Sequence, residues 1–191
     1  MSLVRCEEWT RHSHPPSGKA PYVFTPTKPG PTLKWEEPHM WVISDEEEID
    51  RLRGRFRGVE RVTFVHRGSI EYLEGLATAG HIIQNTSYPS FFSKRNGQVC
   101  VDTWHSTSVK KLGFDMPGGN IHSRNMIRSL LISDFVLSPN PFMTRIFRDS
   151  YRLQNLYQGK ILEVGYPRND STLRGLFPIE GVGRGSGVAA G

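Results

Sequence analysis

The chain has 191 residues, 37% of them hydrophobic and 23% charged, enough apolar material for a folded domain with its own core and too much for a disordered chain. Its two cysteines, Cys6 and Cys100, lie far apart, which argues against a cysteine zinc site or a disulfide scaffold and suits the cytoplasm. The formal net charge of +5 favours anionic partners such as phosphates, nucleic acid or anionic lipid; it does not choose among them and serves solubility equally well.

Residues 1–38 are dense in proline, as in HPPSGKAPYVFTPTKPGPTLKWEEP. Proline breaks helices and central strands, so this stretch reads as a flexible leader. The opening MSLVRCEEWTRHSH lacks the apolar stretch of a secretory signal. No run reaches the roughly 18–20 apolar residues of a membrane span. The expected place is the cytosol or the inner face of the membrane.

HMWVIS (39–44) is a short apolar run and predicts a strand. Asp45 opens DEEEIDRLRGRF, with acids first and arginines later, as a helix dipole prefers. ERVTFVHR (60–67) is β-branched and aromatic, hence strand. Ser69 caps a following helix with Tyr72, Leu73 and Leu76 as its apolar stripe, and Gly80 ends it. HIIQN (81–85) predicts a buried strand, SYPSFFSKRNG a loop, and QVCVDTW (98–104) the next strand. Ile121 to Ile132 reads as helix, with Ile121, Met126, Leu130 and Leu131 as core positions. DFVLS (134–138) is a strand, PFMTRIFRDSYRL (141–153) a helix with proline in its first turn, and KILEVGYP (160–167) a last strand. Residues 176–191 end in the glycine-rich GVGRGSGVAAG, a tail or linker stump.

Strands alternating with helices over 39–175 predict an α/β fold, a Rossmann-like doubly wound parallel sheet. Such sheets bind ligands beyond the carboxyl ends of their strands, and the chemically interesting residues fall there. In VDTWHSTSVKKLG (101–113), His105 follows a strand, then Ser106, Thr107 and Ser108, then Lys110 and Lys111. A hydroxyl-rich turn opening a short helix offers backbone N–H groups to an anion, lysines add charge, and histidine takes a proton near neutral pH. Together they suit phosphoryl transfer to a hydroxyl. The alternative is a hydrogen-bonded structural histidine beside a solvated lysine face. GYPRND (165–170) is a second cluster: Arg168 suits a bidentate phosphate contact and Asp170 a turn, or the two form a domain-edge ion pair. Arg124 and Arg128 share a helix face, for a polyanion, a membrane or plain solvent. Asn85, at another strand end, orients a ligand or caps a turn.

Taken in order, NTSYPSFFSKRNGQVCVDTWHSTSVKKLG (85–113), SDFVLSPNPFMTRIF (133–147) and GYPRND (165–170) resemble the CDP-glycerol glycerophosphotransferase family over roughly residues 39–173. That family carries T-W-H-G-T-P-L-K-K-L-G and then G-Y-P-R-N-D. The resemblance implies the N-terminal, acceptor-side domain of a GT-B transferase that moves glycerol phosphate, or a related polyol phosphate, from CDP-glycerol to a lipid-linked teichoic-acid-like polymer, releasing CMP. It makes His105 the general base. Asn85, Thr107, Lys110, Lys111, Arg168 and Asp170 become substrate-binding residues, and Arg124 and Arg128 contact polymer or membrane. This chain has Ser106 where the family has glycine, and Ser108-Val109 where it has Pro-Leu. The match stops where the family's nucleotide-binding half begins, so a partner domain, in cis or in trans, is expected to complete the site.

Two other functions fit the same residues: a non-catalytic module docking anionic polymer or membrane, and the acceptor half of a GT-B glycosyltransferase using another donor. No helix-turn-helix, zinc-finger or RNP-like pattern points to nucleic acid. The seven histidines are dispersed without HExxH spacing. Neither metal nor cofactor is therefore expected beyond the CDP-glycerol donor.

Overall fold

The computed structural model describes residues 22–25 and 38–165. Its elements run β1 (Tyr22–Thr25), β2 (His39–Ile43), α1 (Glu46–Arg55), β3 (Val62–His66), α2 (Ile70–Thr78), β4 (His81–Gln84) and β5 (Val99–Asp102). A 3-10 turn (Gly113–Asp115) follows, then α3 (Gly119–His122), α4 (Arg124–Ile132), β6 (Phe135–Ser138), α5 (Pro141–Asp149), α6 (Leu153–Leu156) and β7 (Lys160–Glu163). The strands form one sheet of order β3-β2-β1-β4-β5-β6-β7.

Six strands are parallel, as expected, and β1 is antiparallel to both of its neighbours, β2 and β4. The sheet is thus mixed, and the leader reading of residues 1–38 is corrected over these four positions. Pro21 and Pro26 bracket Tyr-Val-Phe-Thr, a strand-forming run, without falling inside it. From β2 the chain builds outward to β3, and from β4 outward to β7. The strand β1 fills the place where that direction switches.

Successive strand residues point to opposite faces, and both faces are covered. Trp41, Ile43 and Phe64 pack with Ile49 and Leu52 of α1. Val42 and Val65 turn the other way, onto Tyr72 and Leu76 of α2, with Ile82, Tyr88, Phe92 and Cys100. A third cluster, Trp104, Leu130, Val136, Met143, Phe147, Tyr151 and Leu153, packs α4, α5 and α6 beside the outer strands.

Local chemistry sets the helix starts. Asp45 accepts the N–H groups of Glu47 and Glu48, and Ser69 accepts that of Tyr72. Leu73, expected in the core, is exposed. The helix expected over Ile121–Ile132 is two pieces, because Ser123 (φ −93, ψ 0) interrupts the period. Leu130 is buried and Met126 and Leu131 pack beside it, whereas Ile121, out of phase with them, faces solvent.

Candidate active site

The connections that leave the carboxyl ends of β4, β5 and β6 meet at one rim of the sheet. Three hydrogen bonds fasten the β5 connection. The Thr103 N–H donates to the Gln84 carbonyl at 2.7 Å. The Trp104 N–H donates to Asp102 Oδ1 at 2.8 Å. His105 Nδ1 lies 2.9 Å from the Asn85 carbonyl oxygen. A carbonyl only accepts, so Nδ1 carries the hydrogen of the neutral ring and Nε2 is its basic nitrogen.

The turn that presents this imidazole is strained. Trp104 has φ 52, a left-handed backbone that bulky side chains avoid. Its indole is buried against Phe147 and Tyr151, in edge contacts at 5.2 and 5.8 Å. The exposed His105 ring stacks on the outer side of the indole, at 4.8 Å and 25°. The histidine therefore lies on a fixed aromatic platform at the open rim, not within hydrophobic packing.

Behind the turn sits Asp102, fully buried in register between Gln84 and Val136. Gln84 Nε2 donates to its second oxygen at 3.0 Å. Burial pushes the Asp102 carboxyl up to about 7, and the Trp104 N–H pulls in the opposite direction. The Tyr151 phenol is pushed up to about 12, by burial first and the Asp102 charge second.

The segment after His105 departs from expectation. No helix opens at Ser106–Ser108. The Ser108 hydroxyl instead bonds the N–H and the carbonyl of Lys110, at 3.2 and 2.6 Å, a local arrangement that competes with helix formation. The first helical turn waits until Gly113. Thr107 is reached by Asn140 Nδ2 at 3.3 Å, while Asn140 Oδ1 caps α5 through the Met143 N–H at 2.9 Å. Lys110 and Lys111 are exposed on the same loop, directly after the fully exposed Val109.

The structure thus brings His105, Asn85 and Thr107 to one rim, with Lys110 and Lys111 following in the same connection. Asn85 contributes through its main chain. Arg124 is exposed, whereas Arg128 is half-buried and donates to the Pro89 carbonyl at 3.3 Å, tying α4 to the β4–β5 connection. Arg168 and Asp170 lie outside the described residues. A separate cleft, lined by Lys94, Gln98, Val99 and Asp134, opens at the amino end of β5. There Lys94 pairs with Asp134 at 2.5 Å and Asp134 accepts the Cys100 N–H at 2.7 Å. Among the described residues, no three His, Cys, Asp or Glu side chains are grouped to hold a metal, and no helix is long and apolar enough to cross a membrane.

Sequence reasoning missed Asp102, Gln84 and Asn140. A signal existed for each. Asp102 and Gln84 occupy the inward phase of strands that Cys100 and Ile82 define as buried, and Asn140 directly precedes a proline-started helix.

Comparison with known proteins gives a consistent result. The family model described as CDP-Glycerol:Poly(glycerophosphate) glycerophosphotransferase matches residues 32–176. The chain is 36% identical over 113 residues to a teichoic acid poly(glycerol phosphate) polymerase of Staphylococcus epidermidis, covering 56% of this chain and 15% of that one. It is 30% identical over 141 residues to a teichoic acid glycerol-phosphate transferase of Staphylococcus aureus, covering 67% of this chain and 36% of the relative. Among solved structures, the wall teichoic acid polymerase TagF matches with a TM-score of 0.57 and 28% identity, over 73% of this chain and 33% of that chain. The chain therefore spans only about a seventh to a third of these relatives' lengths.

Proposed function

Because this chain belongs to the CDP-glycerol:poly(glycerophosphate) glycerophosphotransferase family, we propose that it is the acceptor-side part of an enzyme transferring glycerol phosphate from CDP-glycerol to a lipid-linked teichoic-acid-like polymer. The terminal hydroxyl of the acceptor gives its proton to His105 Nε2. Its oxygen attacks the phosphorus bearing glycerol, and the bond from that phosphorus to the bridging oxygen breaks, so that CMP leaves. Lys110 and Lys111 attract the phosphates of donor and polymer, and Thr107 offers a hydroxyl beside them. A nucleotide-binding half, in cis or in trans, closes the site over the donor.

The observation that carries this reading is the His105 Nδ1 contact with the Asn85 carbonyl at 2.9 Å. It fixes the tautomer a general base needs, on a ring exposed at the ligand-binding end of the sheet. The test is CMP release from CDP-glycerol, with a lipid-linked acceptor, by this polypeptide joined to a nucleotide-binding half of the family. His105→Ala is expected to lower the rate by about 10²–10⁴-fold. Undiminished release by that variant overturns the base assignment.

A second reading is docking to the anionic inner face of the membrane. Val109 is 101% exposed between Ser108 and Lys110-Lys111, and Ile121 is 72% exposed three residues before Arg124. Apolar tips beside cations suit such a surface. This reading predicts salt-sensitive binding to phosphatidylglycerol vesicles and none to neutral ones, indifferent to His105→Ala.

A further inference from the structure

The imidazole is aimed by a backbone that is costly to hold. A left-handed residue with a large side chain costs roughly 1–3 kcal/mol and persists only where its surroundings fix it. Trp104 is such a residue, with φ 52, placed between the last residue pair of β5 and the histidine. Two groups hold it: the indole locked in the core against Phe147 and Tyr151, and the Trp104 N–H bonded to a carboxyl two residues earlier. Asparagine and aspartate stabilise turns in this way, through a side-chain oxygen that replaces a backbone acceptor.

That carboxyl is otherwise an expensive choice. Asp102 has no exposed surface, and burying an acid beside neutral donors alone is unfavourable. Its charge bears on the phenols of Tyr88, Tyr151 and Tyr157, and among the described residues it makes no ion pair. An apolar residue would pack at this position without that cost. What an apolar residue lacks is an acceptor for the Trp104 N–H.

We propose that Asp102 is the positioning residue of His105: its Oδ1, accepting the Trp104 N–H, holds the left-handed turn that directs the imidazole Nδ1–H at the Asn85 carbonyl. Nothing in this role requires a charge. A proton on the other oxygen, Oδ2, leaves Oδ1 free to accept, and Gln84 can meet it by rotating its amide. Gln84 Oε1 is buried and makes no hydrogen bond as the amide now stands, so rotation exchanges the bond from Nε2 for one accepted by Oε1. The aim of the ring is thereby independent of the ionisation of Asp102. This proposal rests on the reading of His105 as the base only for its consequence in catalysis; the geometry it describes can be tested without turnover.

The test is long-range ¹H–¹⁵N correlation of the histidine rings in the 191-residue chain at a pH where His105 is neutral, with the methyl signals of Leu130 and Val136 reporting the core. Wild type and Asp102→Asn are expected to show the Nδ1–H tautomer, since asparagine keeps the acceptor and its amide donates to a rotated Gln84. Asp102→Ala is expected to lose it, giving averaged ring signals. Should Asp102→Ala fail to fold, Gln84→Met/Asp102→Leu replaces both buried polar partners by apolar groups of similar size, which spares the core and still removes the Trp104 acceptor. Retention of the Nδ1–H tautomer in either folded apolar variant overturns the proposal. So does its loss in Asp102→Asn with core methyls unchanged, and this variant alone decides if neither apolar variant folds. Failure of the base reading looks different: transfer survives His105→Ala while the tautomer results stand.

Discussion

Gly113→Ala is expected to destabilise the fold far more than a glycine-to-alanine change ordinarily does. Gly113 has φ +57, and a Cβ built there lies 2.2 Å from the Ser150 carbonyl oxygen and 2.7 Å from its carbon. The same carbonyl accepts the Phe114 N–H at 2.8 Å, fastening the end of the His105 loop to the junction of α5 and α6. Left-handed backbone costs alanine roughly 1–2 kcal/mol. Relief of the contact by backbone movement adds about 1–3 kcal/mol, and loss of the bond about 1 kcal/mol. The sum, roughly 3–6 kcal/mol, is a large part of the stability of an ordinary domain. Gly58 supplies the control: it has φ +88 with nothing within 4 Å of a built Cβ, so Gly58→Ala isolates the backbone strain. Equilibrium urea unfolding followed by circular dichroism measures both. If Gly113→Ala costs no more than Gly58→Ala, the close approach to Ser150 does not hold this loop.

Two further predictions concern charge. Asp102 is an acid whose folded pKa is raised from 3.8 to about 7 by burial, so the native state holds the proton more tightly than the unfolded chain. Its contribution to stability is complete below about pH 4, declines as pH rises towards 7 and is level above that. Asp102→Asn removes the decline, and its stability relative to wild type, measured by urea unfolding at pH 4.5 and 8, is expected to rise by roughly 3 kcal/mol between those values; a difference that does not change with pH refutes the buried carboxyl. Lys110→Gln/Lys111→Gln, on an exposed loop without ion pairs among the described residues, is expected to raise KM for an anionic acceptor several-fold at low salt with little change in unfolding free energy, an effect that fades as ionic strength rises.

Much of the fold was legible because strand and helix periods differ. Ser69, Asp45 and the proline at 141 mark helix starts that the chain uses, and each strand expected between 39 and 167 exists within a few residues. What was not legible depended on contacts distant in sequence. Tyr22–Thr25 reads as part of a proline-rich leader until β2 and β4 are present to pair with it. Ser123 divides the expected long helix where Gly113 and Gly119 approach closely, and no periodicity reports that approach. At the site, His105 stood out by residue type. Its orientation did not, because it depends on the Asn85 carbonyl 20 positions earlier and on a φ that only a folded backbone displays. Asp102 was hidden in plain view: alternation places it inward, and only the geometry of Trp104 explains why an acid is there.

Chemical rescue tests the role of His105 most directly. In the transferase completed with its nucleotide-binding half, His105→Gly leaves a gap on the Trp104 indole, and added imidazole is predicted to restore CMP release in proportion to the concentration of its neutral form. Loss of activity with no recovery at any imidazole concentration, in a variant whose unfolding matches wild type, would contradict a proton-accepting ring at this position.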